Sequence, residues 1–385
     1  MLDSLSAQPC PQSAAASVAP TVRWVENNEN RSAVWRSANG APPPAELVAV
    51  DDRITAEAAL RLASAGTAMV WRGDFHGANQ LLNALRRRVD HKAKVRPATD
   101  FHAYRQARAR RARILGMLVV PMDSGHVISL RRAPDVRRAC LHAYGESTGP
   151  ALVSLRELRG VTSAYEWCKE GVEVPALGAR IHPHYGVFSP VRGEYVDLVA
   201  RAPLPSTRLA FDIGTGSGVL AAVLARRGVE SIVATDDDPR ALACARENLN
   251  RLGYGDRVEL VRTDLYPRGR APLVVCNPPW VPAKPRSPLD HAVYDSGGRV
   301  LSALLDRMTR HLTADGEGWL VISDLAEHLG LRSRTDLLAA FDAANLTVLE
   351  RIDTRPRHRR ARDTTDPLHA ARAAEITSLW RLTPN

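Results

Sequence analysis

The sequence predicts an α/β chain whose carboxyl-terminal half is a doubly wound sheet. Three observations carry that expectation. Short apolar runs alternate with helix-patterned segments from Leu209 onward. The first run leads into Phe211–Gly218, FDIGTGSG, where Gly214, Gly216 and Gly218 crowd the turn between strand and helix. The next two runs each reach an acid, Asp236 and Asp264, and the fourth ends in Asn277-Pro278-Pro279-Trp280.

Taken in order, residues 1–45 are rich in Ala, Ser, Pro and Asn and close on Pro42-Pro43-Pro44. They read as a flexible leader in which Trp24 and Trp35 stand out. Residues 46–145 read as a basic α/β accessory domain. It has helices over 55–64, 77–88 and 101–115, a strand over 67–71, and two strands, 117–121 and 127–130, across an Asp-Ser-Gly turn. The loop Trp71–Gly77, WRGDFHG, is either a substrate-touching loop or a turn stabilised by Asp74. Residues 146–175 form a linker, a helix over 152–169 and a lead-in.

Residues 176–385 form the second domain. A short hairpin turns around Gly178, and Glu194 opens a helix to Ala200, where an acid suits the helix dipole. The strands are Leu209–Ile213, Ile232–Thr235, Val258–Arg262, Leu273–Cys276, Trp319–Ser323, Leu346–Ile352 and Ile376–Leu382. Val219–Arg227 and Arg240–Leu252 are helices. Asp238 before Pro239 fits an N-cap, and Gly253 a stop. That assigns Asp238 to structure and leaves Asp236 to a ligand's ribose hydroxyls. Lys284–Asp295 is a polar, proline-containing loop, placed as a lid over the strand ends, and helix Arg299–His311 follows it.

The ordered set DxGxGxG, acid, acid and NPPW resembles the class I S-adenosylmethionine-dependent methyltransferases. NPPW narrows the likeness to the branch that methylates planar nitrogens, which includes release-factor glutamine methyltransferases and amino-methylating RNA and DNA enzymes. The likeness covers about Val174 to Leu382. It implies a seven-stranded Rossmann-like sheet of order 3-2-1-4-5-7-6 with the seventh strand antiparallel. It also implies S-adenosylmethionine as cofactor. Gly214, Gly216 and Gly218 would let backbone approach its amino-acid half, Asp212 accept from its ammonium, Asp236 from its ribose and Asp264 from its adenine amino group.

Asn277, Pro278, Pro279 and Trp280 are the expected catalytic group, with Asn277 also beside the cofactor. An amide or exocyclic amino nitrogen is a poor nucleophile because its lone pair is delocalised. The Asn277 side-chain carbonyl and the Pro278 carbonyl supply acceptors for its N–H groups. The prolines stiffen the loop, and Trp280 offers a stacking face. No metal is demanded. Tyr185–Glu194, with Pro190, Arg192 and Glu194, resembles the glutamine methyltransferases, although Gly193 stands where threonine is usual. NPPWVP also reads that way, so the substrate leans slightly to a protein glutamine. Basicity and Trp280 favour an RNA or DNA base. A small-molecule N-methyltransferase and a non-catalytic binding protein are the further alternatives.

Composition sets the partners. The formal charge is +10. Arg86–Arg138 holds 15 Lys/Arg against 4 Asp/Glu, which accounts for the whole excess. Such a stretch suits a phosphate backbone or a ribosomal surface, as do Arg355, Arg357, Arg359, Arg360 and Arg362. Only Lys92, Lys94, Lys169 and Lys284 are lysine among the 52 basic residues, so the arginine excess also fits coding composition. Five scattered cysteines, the absence of a secretory pattern at the start and the absence of a long apolar run point to a cytoplasmic protein with no membrane partner.

Overall fold

The computed structural model describes residues 19–95, 100–191, 193–356 and 362–385. The chain divides into two compact units, Met1–Glu166 and Trp167–Asn385.

The first unit contains β1 (Thr21–Glu26), β2 (Glu29–Arg36), β3 (Glu46–Val50), α1 (Ala56–Ala65), β4 (Thr67–Trp71), α2 (Phe75–Val95), α3 (Phe101–Gly116), β5 (Leu118–Met122), α4 (Arg137–Tyr144), β6 (Ala151–Ser154) and the start of α5 (Leu155–Glu170). Its sheet has the order β1-β2-β6-β5-β4-β3. The flexible leader therefore does not extend to residue 45. Val22 and Trp24 alternate with exposed residues on β1, and Ala33 and Trp35 are buried on β2. Asn27 and Asn28, both at positive φ, make the two-residue turn between the strands. Residues 151–154 are strand and not helix, inserted between β2 and β5. The expected strand 127–130 does not form. β5 already has neighbours on both edges, β6 and β4, so only a single bridge, Asp123 to Val127, remains.

The second unit completes α5 and adds β7 (Val172–Val174), β8 (Ala179–Ile181), α6 (Glu194–Arg201), β9 (Leu209–Ile213), α7 (Val219–Arg226), β10 (Ser231–Asp236), α8 (Pro239–Arg251), β11 (Val258–Arg262), β12 (Ala271–Cys276), α9 (Pro288–His291), α10 (Arg299–His311), β13 (Leu312–Ser323), α11 (Leu325–His328), α12 (Arg334–Ala343), β14 (Leu346–Thr354), α13 (His369–Ala374) and β15 (Thr377–Pro384). The large sheet runs β11-β10-β9-β12-β13-β15-β14, with β15 antiparallel to both neighbours. This is the expected order and the expected antiparallel strand.

Both faces of the sheet are covered, so its strands are apolar on both sides. Ala210, Leu273, Val275, Trp319 and Val321 pack with α6, α7 and α8. Phe211, Ile213, Val274, Cys276, Leu320 and Ile322 pack with α10 and α12. The period-two alternation of a strand thus splits each run between two cores. Among the described residues no helix is long and apolar enough to cross a membrane.

Candidate functional site

The site lies where the chain reverses its direction of travel across the sheet. From β9 it steps to β10 and β11, then returns to the other side of β9 with β12. Open α/β sheets bind ligands at such a switch point, outside the carboxyl ends of the strands. The register sets one rank of residues there. Ile213 is level with Thr235 on one side and Cys276 on the other, and Cys276 is level with Leu320. The residues that follow these strand positions, Gly214, Asp236 and Asn277, therefore stand together along the carboxyl edge.

The glycine turn is built for close approach. Gly214, Gly216 and Gly218 have φ of 68°, 55° and 80°, the left-handed region that glycine enters without steric cost. At Gly214 and Gly216 a Cβ would meet nothing within 4 Å. At Gly218 it would stand 3.1 Å from Cα and Cβ of Ala245, so this glycine serves helix packing. The three glycines thus divide into two that leave open room and one that lets α7 and α8 touch.

Two acids hold the turn from behind and from the side. Asp212 is 1% exposed. Its Oδ2 accepts from Thr215 Oγ1 at 2.7 Å and from Ala221 N at 3.1 Å. Its Oδ1 is buried without a hydrogen-bond partner among the described residues. Burial pushes its carboxyl up to about 6. Asp236 accepts Gly216 N and Asp238 N, both at 3.0 Å, and burial pushes it up to about 6 as well. Asp238 caps α8 by accepting Arg240 N at 2.9 Å, with Pro239 in the first turn. An unpartnered buried acceptor beside an open glycine turn fits a ligand with an ammonium group laid along that turn.

Asp264 lies beyond the end of β11. Its side chain is 88% exposed, and Arg307 approaches it at 3.7 Å. The neighbouring backbone is tied down, since Thr235 Oγ1 donates to the carbonyl of Leu265 at 2.6 Å. Asp264 is thus fixed through its chain neighbours more than through its own carboxylate.

On the other side of β9, Pro278 is buried, while Asn277, Pro279 and Trp280 are half-buried. Trp280 packs at the margin of the core that holds Phe211 and Ile213. The chain then closes a loop. Val281 N donates to the carbonyl of Val293 at 3.1 Å, and Asp295 N to that of Val281 at 2.9 Å. Residues 282–292 form this loop, with α9 inside it capped by Ser287. Asp295, buried, accepts Val300 N and Leu301 N and anchors the loop to the start of α10. Sequence reading did not assign Asp295. Its position before Ser296-Gly297-Gly298 and a helix was the available signal. Also unassigned was a buried group at the end of β13, where Ser323 donates to Glu375 at 2.6 Å and Asp324 accepts Ile376 N at 2.7 Å.

Of the remaining candidates, Asp74 is a structural corner. It accepts His76 N, Arg131 and Arg132, and the hydrogen bond from Arg132 holds its carboxyl down at about 2. Glu194 is buried at the start of α6. Arg192, Arg357, Arg359 and Arg360 lie outside the described residues.

A protein-family model described as methyltransferase small domain matches residues 178–348. The tRNA1(Val) (adenine(37)-N6)-methyltransferase of Shewanella amazonensis (strain ATCC BAA-1098 / SB2B) is 31% identical over 165 residues, 39% of this chain and 71% of that protein. The protein of the same name from Shewanella sp. (strain MR-4) is 29% identical over 142 residues, 34% of this chain and 60% of that protein. Among solved structures, the ribosomal protein L11 methylase of Lactobacillus delbrueckii subsp. bulgaricus is 20% identical, with a TM-score of 0.37, and the match covers 53% of this chain and 86% of that one. The chain spans 60% of the length of the Shewanella MR-4 relative.

Proposed function

The chain belongs to the S-adenosylmethionine-dependent methyltransferases of the methyltransferase small-domain family, and from that premise we propose that it methylates the exocyclic amino nitrogen of an RNA base, with the N6 of adenine as the favoured acceptor. One observation carries the reading: Asn277-Pro278-Pro279-Trp280 follows directly on Cys276, which is level with Ile213, the residue before the glycine turn. The names of the two Shewanella relatives favour a base amino group over the protein glutamine toward which the sequence leaned.

The cofactor supplies an electrophilic methyl group on a sulfonium. Gly214 and Gly216 would leave room for its amino-acid half, and Asp212 Oδ1 would accept from its ammonium. Asp236 takes the ribose hydroxyls with the acceptor capacity that its two backbone bonds leave over, since a carboxylate has about four lone-pair sites. Asp264 takes the adenine edge. Asn277 Oδ1 and the Pro278 carbonyl accept the two N–H groups of the target amine. They orient its lone pair toward the methyl and stabilise the positive charge that develops on nitrogen. Pro278 and Pro279 donate nothing and hold these acceptors in place. Trp280 stacks on the target base, which must be unpaired or turned out of a helix to reach it. The 282–292 loop closes over the base and excludes water. General-base catalysis is unnecessary at the transition state: the nitrogen turns cationic as the methyl arrives, and its surplus proton passes to solvent once the loop reopens.

Transfer of labelled methyl from S-adenosylmethionine into total RNA, followed by digestion to nucleosides, tests this. The label is expected in N6-methyladenosine. Label confined to protein, or in RNA at a ring carbon or ribose oxygen, overturns it.

A further inference from the structure

The first unit contains a cavity of about 210 Å³ whose rim is dominated by arginine. Three helices contribute. α2 brings Asn83 and Arg86, α3 brings Arg111, and α5 brings Arg156 and Arg159. The spacing is what a shared site needs, because Asn83 and Arg86 are three residues apart, as are Arg156 and Arg159. Each pair occupies one helix face. On the inward side Leu82 and Leu115 are buried and close the floor.

Two of these charges, Arg86 and Arg159, meet no carboxylate among the described residues. Arg111 is half-buried and donates to both oxygens of Asp90, at 2.6 and 3.0 Å. Arg159 meets a neutral group, Asn83 Oδ1, at 3.4 Å. Arg86, Arg156 and Arg159 are exposed. Packing alone gives no reason to gather four guanidinium groups around one cavity, and their mutual repulsion opposes it. A bound anion removes the repulsion. Planar guanidinium forks match phosphate oxygens in a way that ammonium groups do not. The cavity also exceeds the roughly 30 Å³ share of one water several-fold.

We infer that Arg86, Arg111, Arg156 and Arg159 form a phosphate-binding site in the first unit that grips the backbone of an RNA. Arg111, fixed by Asp90, is the rigid member, while Arg86, Arg156 and Arg159 close on the phosphate. Backbone contacts of this kind position an RNA and carry no sequence information. The choice of RNA as the phosphate source rests on the proposed function, whereas the site itself does not.

The test is binding of the full chain to bulk tRNA as a function of salt, read by fluorescence anisotropy. The variant Arg86→Gln/Arg156→Gln/Arg159→Gln leaves the Arg111–Asp90 pair intact. A control with the same charge change, Arg23→Gln/Arg110→Gln/Arg113→Gln, removes exposed arginines that do not line the cavity. The cavity variant should lose at least tenfold in affinity at 150 mM salt, and its log–log salt slope should fall by about 2, three contacts at about 0.7 each. The control should lose less than threefold. The far-UV circular dichroism spectrum and the melting curve without ligand should be the same in all three proteins, which shows that they are folded. An unchanged cavity variant overturns the inference, as do equal losses in both variants. Stronger competition by a poly-glutamate peptide than by tRNA would also overturn it, in favour of an acidic protein partner. Methylation of RNA with no role for the cavity would remove this inference alone. Binding of tRNA through the cavity with no methyl transfer to RNA would remove the proposed function alone.

Discussion

Asp236 accepts the backbone N–H of Gly216 at 3.0 Å, so the acid that ends β10 holds the glycine turn that follows its neighbour β9. Its role is therefore double, and two substitutions separate the parts. Asp236→Asn keeps one acceptor oxygen, enough for Gly216 N but not for Asp238 N as well, and loses the charge that strengthens the ribose hydrogen bonds. It should weaken S-adenosylmethionine about tenfold, and at pH 5, where the acid is protonated, it should change the melting temperature less than alanine does. Asp236→Ala removes both roles, so it should lower the melting temperature of the unliganded protein as well. Calorimetric titration beside thermal melting separates the two effects.

The pH dependence of stability follows from Asp212 and Asp236. Burial raises both carboxyls from the ordinary 3.8 to about 6. The folded chain then holds protons that the unfolded chain has released, so their contribution is fully present below about pH 4 and is lost as pH rises through about 6. Each group alone is worth on the order of 2–3 kcal/mol, and their mutual repulsion makes the sum less than additive. The unliganded protein should melt lower at pH 7.5 than at pH 5. Asp212→Asn should flatten part of that fall and should abolish the cofactor-induced rise at pH 7.5. An unchanged cofactor response in this variant would remove Asp212 from the ammonium site.

The glycines should respond differently to the same added methyl group. Gly216→Ala meets open space, so its cost in stability is the left-handed strain alone, about 1–2 kcal/mol. Its methyl group stands in the room proposed for the cofactor, so affinity should fall more than tenfold. Gly218→Ala adds contacts at 3.1 Å to Ala245 and should cost distinctly more stability. Denaturant midpoints for the two variants, set beside cofactor affinity, check the ordering.

The antiparallel seventh strand has its own fastening. Arg381 on β15 donates Nε and Nη2 to Glu317 at 2.9 and 2.8 Å, and Nη1 lies 2.5 Å from Glu350. Trp319 Nε1 also donates to Glu317 at 2.7 Å. Arg381→Met strands a buried carboxylate and should cost about 3 kcal/mol. Adding Glu317→Gln to it should restore more than half of that loss, as urea denaturation would measure.

The second unit was readable because its local signals agree with one another. Leu209–Ile213, Val258–Arg262 and Arg299–His311 have the bounds that their apolar runs, glycines and caps imply. The first unit was less readable. β1 and β2 lie in a stretch whose composition is polar, yet Val22 and Trp24 alternate on one side of Asn27-Asn28, and Ala33 and Trp35 on the other. That alternation was the signal to weigh above composition. Ala151–Ser154 is four apolar or small residues running directly into a helix, and periodicity alone cannot separate such a strand from the helix it precedes. At the site, the motif order named Gly214, Asp236 and Asn277. It did not reveal that Asp212 is 1% exposed or that the side chain of Asp264 is 88% exposed, because both depend on how the loops after β9 and β11 fold back. The arginine cavity was invisible for the same reason, since its members come from three helices.

The central claim is that Asn277 holds the target amine for methyl transfer, and the most direct measurement is single-turnover transfer from S-adenosylmethionine to RNA by Asn277→Ala beside the unsubstituted protein. Loss of at least 10²-fold in rate is expected, as for removal of one preorganised polar group at a reacting centre. The cofactor should still raise the melting temperature of the variant, which separates loss of transfer from loss of the fold. A variant that transfers methyl to the same adenine at an undiminished rate would contradict the account.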